Sequence, residues 1–148
     1  MKLSTKGRYG IHAMYDLAVC ARDGQDAPVS LKAIAERQGI PEAYLEQLFA
    51  MLKKAKLVKS TRGAQGGYKL ARQPGEISVG EVLRALEGGL SVVDCLDEAE
   101  LCGKSCACPS RIVWKRLTDG INKIVDGITL SDMIDEYERQ GAREEETE

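Results

Sequence analysis

Four cysteines fall within one short stretch of this 148-residue chain, at Cys95, Cys102, Cys106 and Cys108. Their spacing differs from the paired C-x2-C of zinc ribbons and from the C-x2-C-x2-C run of ferredoxins. Thiolates this close repel one another unless they share a cation, and soft thiolates with loose spacing suit zinc or an iron–sulfur cluster. The spacing alone leaves three possibilities open: a metal or cluster site, a thiol redox switch, or no function.

Few other residues have types and spacing that suggest chemistry. Cys20 falls near the apolar stripe of the first predicted helix and is expected in the core. His12 is the single histidine; it is expected to be structural or at the surface, with a ligand role as the alternative. The sequence contains no Ser/His/Asp or Cys/His catalytic set and no phosphate-binding loop. We therefore predict that the chain is not an enzyme.

The charge is divided unevenly along the chain. Residues 1–72 hold 13 Lys and Arg against 6 Asp and Glu, whereas residues 73–148 hold 8 against 17, so the two halves carry +7 and −9. A basic first half favours a polyanion partner such as nucleic acid; the alternative is that surface charge segregated without a function. No apolar run approaches the roughly 20 residues that span a bilayer, and no signal peptide is evident. We expect a cytoplasmic protein without a membrane partner, whose cysteines stay reduced.

Apolar periodicity predicts a mainly α fold in the first half of the chain. Helices are expected over 7–22, 31–38 and 41–54, and the short glycine-containing turn at Gly39 between the last two is typical of a helix-turn-helix. Two short strands, 57–61 and 68–70, then flank a glycine-rich basic tip, which predicts a β hairpin. A helix-turn-helix followed directly by a two-stranded β wing is a winged helix.

The predicted elements divide the chain into five parts. They are a winged helix-turn-helix DNA-binding module over 1–76, a connecting helix over 77–93, a cysteine-rich cluster loop over 94–109, a long dimerisation helix with a C-terminal helix over 110–140, and an acidic tail over 141–148.

The predicted second helix of the helix-turn-helix carries the candidate base-reading residues. Gln47 can pair with an adenine edge, and Glu46 can accept a hydrogen bond from a cytosine amino group. The alternative is that both belong to a solvated helix face. Further candidates for phosphate or groove contact are Lys6, Arg8, Lys53, Lys54, Lys56, Lys59, Arg62, Gly63, Gln65 and Tyr68.

Several stretches together resemble a known family. They are MKLSTKGRYG at the N-terminus, YLEQLF from Tyr44, RGAQGGY from Arg62, ISVGEVL from Ile77, Trp114, and ITLSD from Ile128. Over essentially residues 1–135 the chain resembles the IscR/NsrR-type winged-helix transcription factors, which are iron–sulfur cluster regulators. The resemblance implies a homodimer joined through the long helix after the cysteine loop. It also implies a double-stranded DNA operator and a cluster, expected to be [2Fe-2S], whose state tunes operator choice or affinity.

The resemblance also implies a set of cluster ligands. Cys95, Cys102 and Cys108 match the three cysteines of the family pattern, whereas Arg111 stands where many members have a histidine ligand. Arg8 stands where nitric-oxide-sensing relatives have a carboxylate. The fourth ligand is therefore expected to be Cys106, with His12 as the second choice and Asp94 or a water-like ligand after it.

Two other functions compete with a cluster-tuned regulator. The first is a cluster-free thiol switch or cysteine-metabolism repressor of the same fold. The second is a small cysteine-ligated redox carrier whose basic half docks an acidic partner, although such a carrier has no use for a wing and a recognition helix.

Overall fold

The computed structural model of the chain describes residues 2–24, 27–96 and 108–147. Its helices and strands are α1 (Thr5–Arg22), α2 (Leu31–Gln38), α3 (Glu42–Lys54), β1 (Val58–Thr61), β2 (Gly67–Leu70), α4 (Val79–Glu87), α5 (Arg111–Asp126) and α6 (Leu130–Thr147). Two short 3₁₀ helices lie at Pro74–Glu76 and Asp94–Leu96. This order confirms a mainly α, winged helix-turn-helix fold followed by a long helix. No helix of the described ranges combines the length and the apolar character that crossing a membrane requires.

The core lies between α1, α3, α4 and the first turns of α6. The largest fully buried side chains are Met14, Leu17, Ile34, Leu45, Leu48, Phe49, Leu52, Ile77, Val82, Leu130 and Ile134. Helix α5 contributes no buried residue and packs on the outside, against α4. The winged-helix module thus has its own core, to which α6 adds its N-terminal turns.

Local signals set the helix-turn-helix, and an ion pair to a buried carboxylate fixes it to α1. The Ser30 hydroxyl accepts a hydrogen bond from the Ala33 amide at 3.1 Å, which caps α2. Gly39 ends α2 in the left-handed region, with φ 65°. Asp16 of α1 is 5% exposed and accepts hydrogen bonds from Arg37 Nε at 2.9 Å and Nη2 at 2.7 Å, and from Gln38 Nε2 at 3.0 Å. A buried carboxylate needs such partners, so this contact locks α2 against α1.

The wing is an antiparallel hairpin that is attached to α3. Ser60 pairs with Tyr68 in the β1–β2 register. Tyr68 also exchanges two backbone hydrogen bonds of 2.8 Å with Val29, which adds a third short segment to the sheet. The Tyr68 ring lies 4.8 Å from that of Phe49, centroid to centroid, so the wing is held against α3. Gly66 is required at the tip because a methyl group there would overlap the Thr61 carbonyl.

Residues 141–148 were expected to form an acidic tail, and the structure shows that α6 continues through this segment to Thr147. Gly141 does not end the helix, since the residues after it include strong helix formers, Ala142, Arg143 and three glutamates. The start of α6 is fixed by Thr129 and Asp132, whose side chains each accept a hydrogen bond from the other's backbone amide. The predicted short C-terminal helix is therefore a helix of 18 residues.

Candidate nucleic-acid interface and cysteine segment

Helix α3 presents a polar face opposite its buried stripe. Leu45, Leu48, Phe49 and Leu52 are buried, so Glu46 and Gln47 point away from the core and are exposed. Helix α3 is thus held by its apolar side alone, which leaves the side chains of the other face free to contact base edges.

The remaining predicted DNA-binding residues, with one exception, are exposed. Lys53 and Lys54 lie in the last turn of α3. Lys6 and Arg8 are in the first part of α1, and Arg62, Gly63 and Gln65 lie at the hairpin tip. All of these residues are exposed, as are Lys53, Lys54, Lys56 and Lys59. Tyr68 is half-buried, and its contacts with Val29 and Phe49 make it a support of the wing.

The hairpin register brings together two lysines, of which Lys59 was among the predicted phosphate contacts and Lys69 was not. Lys59 and Lys69 lie directly opposite each other in the β1–β2 pairing, and both are exposed. Like charges at opposed positions destabilise a hairpin by several tenths of a kcal/mol, roughly 0.2–1. An anion between them removes that repulsion, so this face of the wing suits phosphate. Only the strand register identifies the pair, and the sequence does not fix that register.

Both described ends of the cysteine segment lie against α5. Asp94–Leu96, which contains Cys95, forms a short 3₁₀ helix in contact with α5. The amide of Val92 donates to the Thr118 hydroxyl at 3.2 Å, which ties the approach to that segment to the same helix. Cys108 stands just before the first turn of α5. Cys102 and Cys106 lie outside the described residues.

Cys108 lies in surroundings that favour its thiolate. Its Sγ is 3.1 Å from the Ser110 hydroxyl. The pKa of Cys108 is lowered, mainly by this side-chain hydrogen bond, then by the Ser110 backbone, with smaller effects from the Arg111 amide and charge. The thiolate is the form that binds metal. Arg111, which replaces the histidine of the family pattern, thus acts on the neighbouring thiol.

Cys20 differs from Cys108, which gives a prediction for the metal-free protein. Cys20 is half-buried on α1, 3.8 Å from Arg37 Nη2, and burial followed by the Asp16 charge raises its pKa. Because only the thiolate is alkylated, Cys108 should react with iodoacetamide at a lower pH than Cys20. Residue-resolved mass spectrometry over a pH series measures both profiles. Superimposed profiles, or earlier reaction at Cys20, would contradict these assignments.

His12 is exposed on α1. It lines a groove of about 780 Å³ between α1 and α6 together with Ile11, Tyr15, Met133 and Tyr137, among others, and none of the described residues lining this groove is a cysteine. Within 2–24, 27–96 and 108–147, no three His, Cys, Asp or Glu side chains are grouped closely enough to hold a metal ion. A ligand set completed by His12 therefore requires residues beyond those described in one chain.

Helix α5 exposes an apolar stripe to solvent. Val113 and Leu117 are each 49% exposed, and Ile124 is 64% exposed. Its other side is fixed to α4, where Arg84 binds Asp126 and Asn122. A helix that is apolar on its free side leaves unburied surface that a further chain can cover.

Comparison with known proteins identifies the family. The family model Rrf2, described as an iron-dependent transcriptional regulator, matches residues 3–136. The HTH-type transcriptional regulator IscR of Aliivibrio salmonicida is 43% identical over 140 residues, covering 95% of this chain and 81% of that protein. The regulator CymR of Bacillus subtilis is 43% identical over 133 residues, covering 90% of this chain and 89% of that protein.

Solved structures agree with this assignment. IscR of T. potens superposes with a TM-score of 0.75 at 47% identity, covering 95% of this chain and 90% of the other. CymR of B. subtilis, described as the global cysteine regulator, superposes with a TM-score of 0.73 at 41% identity, covering 90% and 95%. These relatives are transcriptional regulators, which confirms that the chain is not an enzyme. The chain belongs to the Rrf2 family of iron-dependent transcriptional regulators.

Proposed function

We propose that this regulator is a cytoplasmic homodimer that binds a double-stranded operator with α3 and the wing, and that a [2Fe-2S] cluster in the cysteine segment tunes that binding. The proposal assigns DNA binding to residues 1–76, cluster binding to 94–109 and dimerisation to 110–140. The observation that carries it is the exposed polar face of α3, a helix that contacts α1 through the Tyr44–Tyr9 ring pair and the wing through the Phe49–Tyr68 ring pair. Phosphate contacts from the lysines and arginines supply affinity, and Gln47 and Glu46 supply specificity.

The dimer is proposed from the free side of α5. Val113, Leu117, Ile121, Ile124 and Ile128 recur along one side of the helix and its end, at a spacing typical of a helix–helix contact. Burying an aliphatic side chain contributes about 1.5–3 kcal/mol, so two such stripes packed together can hold two chains. A two-fold dimer also presents two copies of α3 to the two halves of a palindromic operator.

The chemistry of the cysteine segment fits a cluster. The Cys108 thiol is held in a form suited to ligation, and the Asp94–Leu96 turn that contains Cys95 lies against the same helix that Cys108 precedes. Cys95, Cys102 and Cys108 would hold the cluster, with Cys106 as the fourth ligand and His12 as the second choice. When bound, an iron–sulfur cluster supplies a redox-active centre whose charge depends on its oxidation state. Ser110 and Arg111 would stabilise the thiolate, and α5 would carry the state of the segment to the dimer contact.

A cluster-free thiol switch remains the second candidate. CymR, described as the global cysteine regulator, matches this chain at 43% identity, as the first IscR does. The lowered pKa of Cys108 also suits a reactive thiol. Iron and sulfide analysis of protein purified without oxygen separates the two, because a thiol switch contains neither element.

Two substitutions test the DNA-binding part of the proposal by their different effects. Gln47→Ala should lower discrimination at one base pair by about 1–3 kcal/mol, because it removes a base contact. Lys54→Ala should weaken binding to all sequences and reduce the slope of log K against log salt by about 0.9, because it removes one phosphate contact. Fluorescence anisotropy with operator and random duplexes measures both.

The matched controls are Gln140→Ala and Lys123→Ala, which remove exposed side chains of the same types on α6 and α5. Both should bind DNA as the unmodified protein does. An equal loss of affinity for operator and random DNA in Gln47→Ala would remove Gln47 from base reading.

A further inference from the structure

The N-terminus of α1 is capped by a residue of α4, a helix that packs against α1 but lies about 80 residues away in sequence. Glu87 Oε1, at the end of α4, accepts hydrogen bonds from the Ser4 amide at 2.9 Å, the Ser4 hydroxyl at 2.6 Å and the Gly7 amide at 3.1 Å. The Ser4 side chain makes no cap bond of its own to α1, because its hydroxyl donates to Glu87. The first turn of α1 is therefore held by α4.

The negative charge of Glu87 offsets the two positive charges in the first turn of α1. The first turn of α1 contains no acidic residue, whereas Lys6 and Arg8 place two positive charges at its start. The N-terminus of a helix carries a partial positive charge, so basic residues there destabilise it and a carboxylate stabilises it. Glu87 supplies that carboxylate from another helix, which allows the first turn of α1 to keep two exposed basic side chains.

Two glycines of α1 allow α4 to approach this closely. A methyl group on Gly7 would overlap Glu87 Oε1, and one on Gly10 would overlap the Leu86 side chain. The position of the carboxylate relative to the first turn is therefore set by the absence of side chains on α1. This makes Gly7 a second, independent residue at which the same contact can be disturbed.

Helix α4 is also anchored on its other side, close to the cysteine segment. Arg84 donates to Asp126 at 2.7 and 2.8 Å and to Asn122 at 2.6 Å, both on α5. After Glu87 the chain continues through Leu90, whose carbonyl accepts from Asn122 at 3.3 Å, to the turn at Asp94–Leu96. One short helix thus connects the start of α1 to α5 and leads directly into the cysteine segment.

We propose that Glu87 is a positioning residue for DNA binding. It holds the first turn of α1, and with it the backbone that carries Lys6 and Arg8, in the position from which both reach phosphates, and through α4 it links that position to α5 and the cysteine segment. The inference rests on the proposed function, in which Lys6 and Arg8 contact phosphates. Glu87 itself contacts no DNA.

The test uses the full-length, cluster-free protein and a random-sequence duplex, so that neither base reading nor a cofactor enters the measurement. Glu87→Ala should reduce the slope of log K against log salt by about 1.8, the loss of two phosphates at about 0.9 each. The control Glu138→Ala, which removes an exposed carboxylate of α6, should leave the slope unchanged. Hydrogen exchange at residues 5–10 should be faster in Glu87→Ala only.

A combined variant separates positioning from simple stabilisation. If Glu87 acts through Lys6 and Arg8, adding Glu87→Ala to a Lys6→Ala/Arg8→Ala protein should change its affinity less than twofold. Gly7→Ala should reproduce the reduced slope, since its methyl group displaces the carboxylate. Glu87→Gln keeps an acceptor without the charge and should give an intermediate slope; it also provides a folded variant if the alanine protein is unstable.

These variants distinguish a failure of the proposed phosphate contacts from a failure of the positioning role of Glu87. An unchanged slope in Lys6→Ala/Arg8→Ala contradicts the phosphate contacts of the proposed function, and this inference with them. A reduced slope in that variant with an unchanged slope in Glu87→Ala and Gly7→Ala overturns this inference alone. An additive loss in the combined variant would likewise show that Glu87 only stabilises the fold.

Discussion

Replacing both Leu117 and Ile124 with aspartate is expected to convert the protein to monomers in sedimentation experiments. Both side chains are about half exposed or more in the single chain, at 49% and 64%, so the isolated fold should tolerate the change. In the proposed dimer they are buried against the partner, and an unpaired charge there costs several kcal/mol. Four such charges per dimer should raise the dissociation constant by at least about 10⁴-fold. Operator affinity should fall with it, because each half-site would then be bound separately.

The matched control places two aspartates at the same spacing on another side of the same helix. Arg116→Asp/Lys123→Asp changes two exposed residues that lie off the apolar stripe. This variant should remain dimeric, with a melting temperature close to that of the unmodified protein. An unchanged dimer in Leu117→Asp/Ile124→Asp would place the interface on another surface.

Single alanine substitutions of the four cysteines should have two different effects on the visible absorption of the cluster. Alanine at Cys95, Cys102 or Cys108 should abolish the visible absorption of protein prepared without oxygen, because each removes a ligand for which no substitute is expected. Alanine at Cys106 should instead alter the spectrum or its stability, since a weaker ligand can take its place. Absorption spectra with iron and sulfide analysis of each variant give the result.

Cys20→Ala is the control for this series, because Cys20 lies on α1 beside Arg37 and should not take part. It should keep the full chromophore. An unchanged spectrum in Cys106→Ala, together with a lost cluster in His12→Ala, would contradict Cys106 as fourth ligand and favour His12. Retention of the chromophore in Cys108→Ala would contradict the ligand set as a whole.

The helix-turn-helix and the wing could be predicted because their signals are local. Ser30 caps α2, Gly39 ends it, and the glycines around Arg62 mark a hairpin tip, all within a few residues of the structure they produce. The buried stripe of α3 follows from its periodicity, which also predicted that Glu46 and Gln47 would be exposed. The end of α6 was missed because a glycine and a run of acidic residues are read as a stop, whereas they continue the helix.

The contacts that position the site could not be predicted, because they join residues far apart in the chain. The partners of Asp16 lie on α2, and the cap of α1 is supplied by Glu87 of α4. Val29 joins the wing through Tyr68, although nothing in its immediate sequence marks it as a strand. Each of these depends on how the elements pack, and periodicity gives the buried face of a helix but not its neighbour across that face.

The state of the cysteine segment is proposed to change operator binding, and one titration can show this change. An operator duplex selected from a random library is titrated with one preparation of the protein, first loaded by anaerobic reconstitution and then freed of iron, at the same salt concentration. The loaded and iron-free forms should have dissociation constants that differ by about 5- to 150-fold, the range of a typical coupling between two sites. Superimposable binding curves from the loaded and iron-free protein would contradict it.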